Sequence, residues 1–160
     1  MLRVAAVRAA QHIEEHDVSI TTTTHLNFRG QAREALDFYA SVFGGEVMAF
    51  TFAQGGDERD TADGAVPDQL KWGGVQAPNG FAVMAFDVPP ARAHDAGTDA
   101  VYVSVRGTDP EELTRCWQAL VVGGTVRAEL APAGWAPLYG MVTDRFGVTW
   151  VLDVLPPYNG

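Results

Sequence analysis

The chain has 160 residues, with 20 Asp and Glu against 11 Lys and Arg, a formal net charge of −9. Its 47% hydrophobic and 19% charged residues exclude a disordered chain and support a core without disulfides or a structural metal, and the acidic balance argues against a nucleic-acid partner, which needs clustered Lys and Arg. The lone cysteine, Cys116, excludes an intramolecular disulfide and any multi-cysteine metal site, and Lys71, the only lysine, is the sole candidate for Schiff-base chemistry.

Residues 1–18 read as an N-terminal extension. Arg3 and Arg8 are not followed by the apolar run of a secretory signal, and nothing in the chain approaches the roughly 18 apolar residues of a membrane span. The expectation is a cytoplasmic protein with no membrane partner. His12 and His16 have the i, i+4 spacing of a helical metal pair, but no third ligand is near them, so they read as solvated.

Residues 19–28 (SITTTTHLNF) are rich in β-branched side chains and predict a strand that Gly30 breaks. Residues 31–43 place Ala35, Leu36, Phe38, Tyr39, Val42 and Phe43 at helical spacing, and Gly44-Gly45 ends that helix. Residues 46–53 predict a second strand. Residues 54–67 (QGGDERDTADGAVP) are Gly-rich and acidic without periodicity, and read as a mobile loop or lid. Residues 68–77 and 81–87 predict two strands joined at Pro78-Asn79-Gly80, a hairpin signal. Residues 88–98 read as a linker.

The pattern then repeats. Residues 99–105 predict a strand, and Arg106-Gly107 echoes Arg29-Gly30. Residues 108–122 predict a helix capped by Thr108 or Asp109, with Pro110 in its first turn and Glu111 and Glu112 at its positive end. Gly123-Gly124 echoes Gly44-Gly45. Strands follow over 125–130, 138–143 and 148–154, the last two joined by Asp144-Arg145-Phe146-Gly147. The predicted architecture is therefore α+β: two βαβββ repeats over 19–87 and 99–155, a tail over 156–160, and curved sheets around a groove that would hold a ligand.

This arrangement resembles the vicinal oxygen chelate superfamily, which includes glyoxalase I, bleomycin-resistance proteins and extradiol dioxygenases. The motifs Leu26-Asn27-Phe28-Arg29-Gly30, Glu34-Ala35-Leu36-Asp37-Phe38-Tyr39 and Val42-Phe43-Gly44-Gly45-Glu46, with Tyr139-Gly140-Met141 and Asp144-Arg145-Phe146-Gly147-Val148-Thr149-Trp150 near the end, are similar to its glyoxalase-like subgroup. That subgroup often carries a 3-demethylubiquinone 3-methyltransferase label. The resemblance implies a homodimer and a divalent metal held by residues of the first and fourth strands of each repeat. Here those positions offer His25 or Thr24, Val83 or Met84, Tyr102 or Ser104, and Trp150 or Val151, with Asp153 further out. One imidazole and one distant carboxylate depart from the family's metal pattern, so the expectation is no cofactor, with a divalent metal as the alternative.

His25 is the best candidate for chemistry, as a base or ligand in the groove; its other reading is a hydrogen-bonded rim histidine. Tyr102 joins it as a candidate catalytic group. Trp72, Met84, Ser104, Trp135, Tyr139, Met141 and Trp150 form the candidate ligand-binding set, with ordinary packing as the alternative for the aromatics. Cys116 reads as a small buried hydrophobe, and Arg145 as a turn residue or an anion contact. No nucleophile triad, P-loop or dinucleotide fingerprint is present. The expected function is binding of a small organic molecule in an aromatic groove, whether or not it is turned over. The alternatives are a metal-dependent lyase, isomerase or dioxygenase, and a drug-sequestering protein whose acidity would favour cations.

Overall fold

A computed structural model describes residues 19–157. The segment expected as an N-terminal extension, with His12 and His16, lies outside the described residues, as does 158–160 of the tail.

The first strand is shorter than its β-branched run suggests: only His25–Phe28 (β1) is paired, because its one partner is the parallel strand β4, Ala82–Asp87. The helix α1, Ala32–Phe43, follows. Its cap residue Gln31 makes no side-chain cap. The role passes to Asp87, buried at the end of β4, which accepts from the N–H groups of Gly30 at 2.7 Å, Ala32 at 3.0 Å and Leu70 at 2.9 Å. One carboxylate thus ties the first strand's exit, the helix start and the third strand together, at a positive helix end where negative charge is favoured. The strands β2, Glu46–Thr51, and β3, Leu70–Gln76, complete a sheet of order β1-β4-β3-β2.

Residues 54–67 are not an irregular loop. Half of them lie in two short helices, α2, Phe52–Gly55, and α3, Glu58–Ala62, each with a capping box, Thr51 with Gln54 and Asp57 with Asp60. The segment is then locked from below. Asp60, 1% exposed, lies 2.7 Å from the Lys71 ammonium and 2.8 Å from the Arg92 guanidinium, and Arg92 also reaches Asp63 at 2.6 Å. Burial would raise the Asp60 carboxyl, but the hydrogen bonds of Lys71, the Asp57 backbone and Arg92 outweigh it and hold the group well below the carboxylate range. Lys71 is therefore committed to an ion pair, which removes it as a free amine for Schiff-base chemistry.

The second half repeats the plan: β5, Val103–Gly107; α4, Pro110–Leu120; β6, Thr125–Ala133; β7, Ala136–Thr143; and β8, Thr149–Val154, in order β5-β8-β7-β6. Asp109 is the cap of α4, accepting from the Glu111 N–H at 2.9 Å. Residues 99–102 lie outside the strand that was expected to hold them. The segment left between the strands expected over 125–130 and 138–143 is a hairpin, because β6 and β7 run to Ala133 and Ala136 and turn at Gly134-Trp135. The Arg-Gly echo is also out of register. The Val88 N–H donates to Phe28 O and the Leu155 N–H to Gly107 O, both at 2.7 Å, so Phe28, not Gly30, matches Gly107.

Both helices lie in one core with both sheets. Tyr39 and Phe43 of α1 meet Trp150 of β8 at ring distances of 5.1 and 5.3 Å. Asp144 accepts from the Tyr39 hydroxyl at 2.7 Å and the Trp150 indole N–H at 2.8 Å, and from the N–H groups of Phe146 and Val148. Burial, then Asp144, drives the Tyr39 phenol far above its usual pKa, so it stays a donor. Neighbours on α4, Cys116 and Trp117, are both buried because the helix is covered on two sides. Cys116 donates to the Val42 carbonyl of α1, while Trp117 lies where a Cβ on Gly140 would come within 2.9 Å of its ring. Burial, then Glu112, raises the Cys116 thiol, as expected for an inert packed cysteine. Among the described residues no buried side-chain N or O lacks a partner, and no helix is long and apolar enough to cross a membrane.

Candidate functional site: two open sheet faces

Side chains alternate across a strand, so each sheet has a face toward the helices and a face turned away. The two sheets are not hydrogen-bonded to each other, and each keeps its own open face. On the first sheet, register places His25 beside Met84, Met84 beside Gly74 and Gly74 beside Met48. The next open-face row is Asn27, Phe86, Trp72 and Phe50. The rings of Trp72 and Phe50 stack at 5.7 Å with a 26° interplanar angle, and His25 meets Phe86 edge-on at 5.2 Å. A Cβ on Gly74 would lie 3.4 Å from the Trp72 ring, so the indole leans over the one bare position in the platform. Met48 is 68% exposed.

The open face of the second sheet has a different chemistry. Ser104, Val151 and Met141 form one row, and Arg106, Asp153 and Tyr139 the next. Arg106 binds both oxygens of Asp153 at 3.0–3.2 Å, a fork geometry that suits guanidinium and carboxylate. Arg127 binds both oxygens of Asp99 at 2.6 and 2.9 Å and lies 5.5 Å over the Tyr102 ring. Asp99 holds a left-handed backbone, φ 53°, an uncommon state that Asp tolerates better than most residues. Trp135, 66% exposed at its hairpin tip, meets Tyr139 edge-on at 5.2 Å.

The candidate residues are therefore divided. His25, Trp72 and Met84 lie on the first open face; Ser104, Tyr139 and Met141 lie on the second, with Tyr102 and Trp135 at its margins. Trp150 is a correction. It pairs with Val103 on the helix side of β8, is 0% exposed and gives its N–H to Asp144, so it has no surface for a ligand. Arg145 is stacked over the Phe38 ring at 4.2 Å instead of waiting for an anion. Met48, Phe50, Phe86, Asp99 and Arg127 belong to these faces and were not singled out. The alternation Met48, Phe50 on one strand and Met84, Phe86 on another was their signal, since period two puts each pair on one face.

Matching Phe28 with Gly107 aligns His25 with Ser104 and Met84 with Val151. Of these four positions only His25 carries a metal-binding side chain. Asp153, one row out, has both oxygens bound to Arg106. Among the described residues no three His, Cys, Asp or Glu side chains gather closely enough to hold a metal ion. The described residues of one chain do not fit the superfamily's metal. Beside His25, at the β1 edge, opens a cavity of about 630 Å³ lined in part by Asn27, Gln31, His94, Asp99 and Thr149, a volume in the range of small-molecule sites.

The model of the family described as 3-demethylubiquinone-9 3-methyltransferase matches residues 20–152. The chain is 31% identical to protein PA1353 from Pseudomonas aeruginosa, whose crystal structure superposes with a TM-score of 0.74 over 86% of this chain and 98% of that one. It is 25% identical over 140 residues to Protein YjdN of Escherichia coli (strain K12), spanning 82% of this chain and 92% of that protein. A glyoxalase/bleomycin resistance protein/dioxygenase from Nocardioides is similar in fold, with a TM-score of 0.51 at 18% identity over 89% of this chain and 92% of that one.

Proposed function

Since the chain belongs to the 3-demethylubiquinone-9 3-methyltransferase family, within the vicinal oxygen chelate superfamily, we propose that it binds a small, flat organic molecule on the open face of its first sheet, in a version of the fold whose usual metal set is degenerate. The carrying observation is the platform of Trp72, Phe50 and Phe86 flanked by Met48 and Met84. Stacked rings offer a flat apolar surface, and thioethers adjust to the outline of what lies on it. His25, at the end of the platform and the mouth of the cavity, supplies the polar contact. A homodimer, placing the second open face of one copy over the first face of another, would close this shallow surface into a groove. Cytoplasmic location and the absence of a cofactor belong to the same reading.

The methyltransferase in the family's descriptive name is not part of this proposal. Each sheet here has four strands with a single parallel pair, unlike the doubly wound parallel sheet of nucleotide-type binding. Binding alone, as in a drug-sequestering protein, needs no catalytic residue and fits the platform as well as turnover does.

The test is metal content by mass spectrometry on untagged protein purified without chelator, with a parallel binding screen of planar aromatics. Metal far below one equivalent, unchanged after incubation with nickel, zinc, manganese or anaerobic ferrous iron, together with saturable binding that Trp72→Leu abolishes, is the expected result. One equivalent of tightly held divalent metal, lost in His25→Ala, would overturn it in favour of a metal-dependent enzyme.

A further inference from the structure

We infer that the ligand of the first open face is a planar organic cation. This rests on the reading that a flat molecule binds there and adds its charge. Among the described residues no Lys or Arg stands on that face: its strand positions are His25, Asn27, Met48, Phe50, Trp72, Gly74, Gln76, Ala82, Met84 and Phe86, with Glu46 exposed at the end of β2. The cations nearby in sequence are engaged elsewhere. Lys71 is held by Asp60 at 2.7 Å, and Arg29, just past β1, donates to the Arg92 carbonyl at 2.6 Å. On the second open face Arg106 and Arg127 are each bound by a carboxylate, Asp153 and Asp99.

Among the described residues, an anion on the platform would meet no Lys or Arg at the strand positions of that face. A cation would meet aromatic rings, whose quadrupoles attract positive charge, two polarisable thioethers on either side of Gly74, and the Glu46 carboxylate. The net charge of −9 draws a cation toward the protein at long range. The Trp72 indole leans over Gly74, between Met48 and Met84 in register, and adds its own ring to the surface on which a fused ring system would lie.

The experiment uses the full chain and two tricyclic probes of similar outline, proflavine as the cation and 2-anthracenesulfonate as the anion, followed by probe fluorescence anisotropy. Proflavine should bind at least about tenfold more tightly, the size of one desolvated cation–π contact. Met48→Lys, at an exposed position whose replacement leaves the fold intact, should weaken proflavine about tenfold or more and strengthen the sulfonate. Met48→Leu, which removes a thioether but adds no charge, should move the ratio of the two affinities far less than Met48→Lys does, and Trp72→Leu should weaken both probes. Equal binding of the two probes, tighter binding of the anion, or a ratio unmoved by Met48→Lys would overturn the assignment of charge while leaving the platform as a binding surface. Binding of neither probe would overturn the platform reading itself.

Discussion

In the first repeat the buried carboxylates face inward and hold backbone. Asp87 gathers three N–H groups from three segments, and Asp60 pins α3 to Lys71 and Arg92. In the second repeat one buried carboxylate, Asp144, has that task, while the ion pairs Arg106–Asp153 and Arg127–Asp99 lie on the open face. One plan of strands and helices thus yields one face almost bare of charge and one face covered with it. The difference follows from where each carboxylate finds its donors. A carboxylate surrounded by buried N–H groups and cations is satisfied inside, and the adjoining surface is left to apolar side chains.

The largest break should come from Asp60→Ala. It strands Lys71 and half of the Arg92 interaction under a covered segment, and removing one partner of a buried pair costs about 3–5 kcal/mol. Urea unfolding should show it as a lowered midpoint, and limited proteolysis should cut within 54–67 faster than in the parent chain. The pH dependence has a definite sign. Asp60 is held below the usual carboxylate range, so its contribution is present above the unfolded carboxyl value of about 4 and is lost as pH falls through its lower folded value. Asp60→Asn should therefore flatten the acid side of the stability curve and leave the neutral side level.

Asp144→Asn tests the second repeat's single inward anchor. The amide cannot accept from the Tyr39 hydroxyl, the Trp150 N–H and two backbone N–H groups together, and the unmet donors should cost about 2–3 kcal/mol. Near-ultraviolet circular dichroism should change with it, because Tyr39 and Trp150 lose their shared partner. Gly140→Ala comes next. Its Cβ would come within 2.9 Å of the Trp117 ring and 3.0 Å of the Leu130 backbone, an overpacking of about 1–2 kcal/mol readable in the thermal midpoint. Arg106→Gln should be the mildest for stability, since the guanidinium is more than half exposed and exposed ion pairs contribute little. It frees Asp153, so the second open face becomes more acidic; a thermal midpoint lowered as much as in Gly140→Ala would count against this rim-like role.

Helix ends, the hairpin at Asn79-Gly80 and the repeat were legible because each rests on local signals: apolar spacing, capping side chains and glycines such as Gly44 and Gly123 with positive φ. The two capping boxes over 51–60 were legible as well, but the Gly-rich, acidic composition around them hid a pattern that needs only four residues to read. Strand ends were less so, since β1 pairs only from His25, opposite Met84, although its parallel partner β4 begins at Ala82, which no property of residues 19–24 could reveal. The candidate site was half legible. His25, Trp72 and Met84 share a face because of a pleat that period-two reading supplies, whereas Trp150 could be placed inside only once Asp144 and Tyr39 were seen around it.

Sequence alone determined the family, the two βαβββ units and the poverty of metal-binding side chains, because those depend on residue type and local spacing. Tertiary structure decided which partner each charge takes. That turned residues 54–67 from a loop into a fixed wall, removed Lys71 as a free amine, and separated an aromatic face from an ion-paired one. The physical reason is that hydrogen bonds and ion pairs between residues far apart in the chain, such as Asp60 with Arg92 or Tyr39 with Asp144, depend on distances that only the packed fold creates.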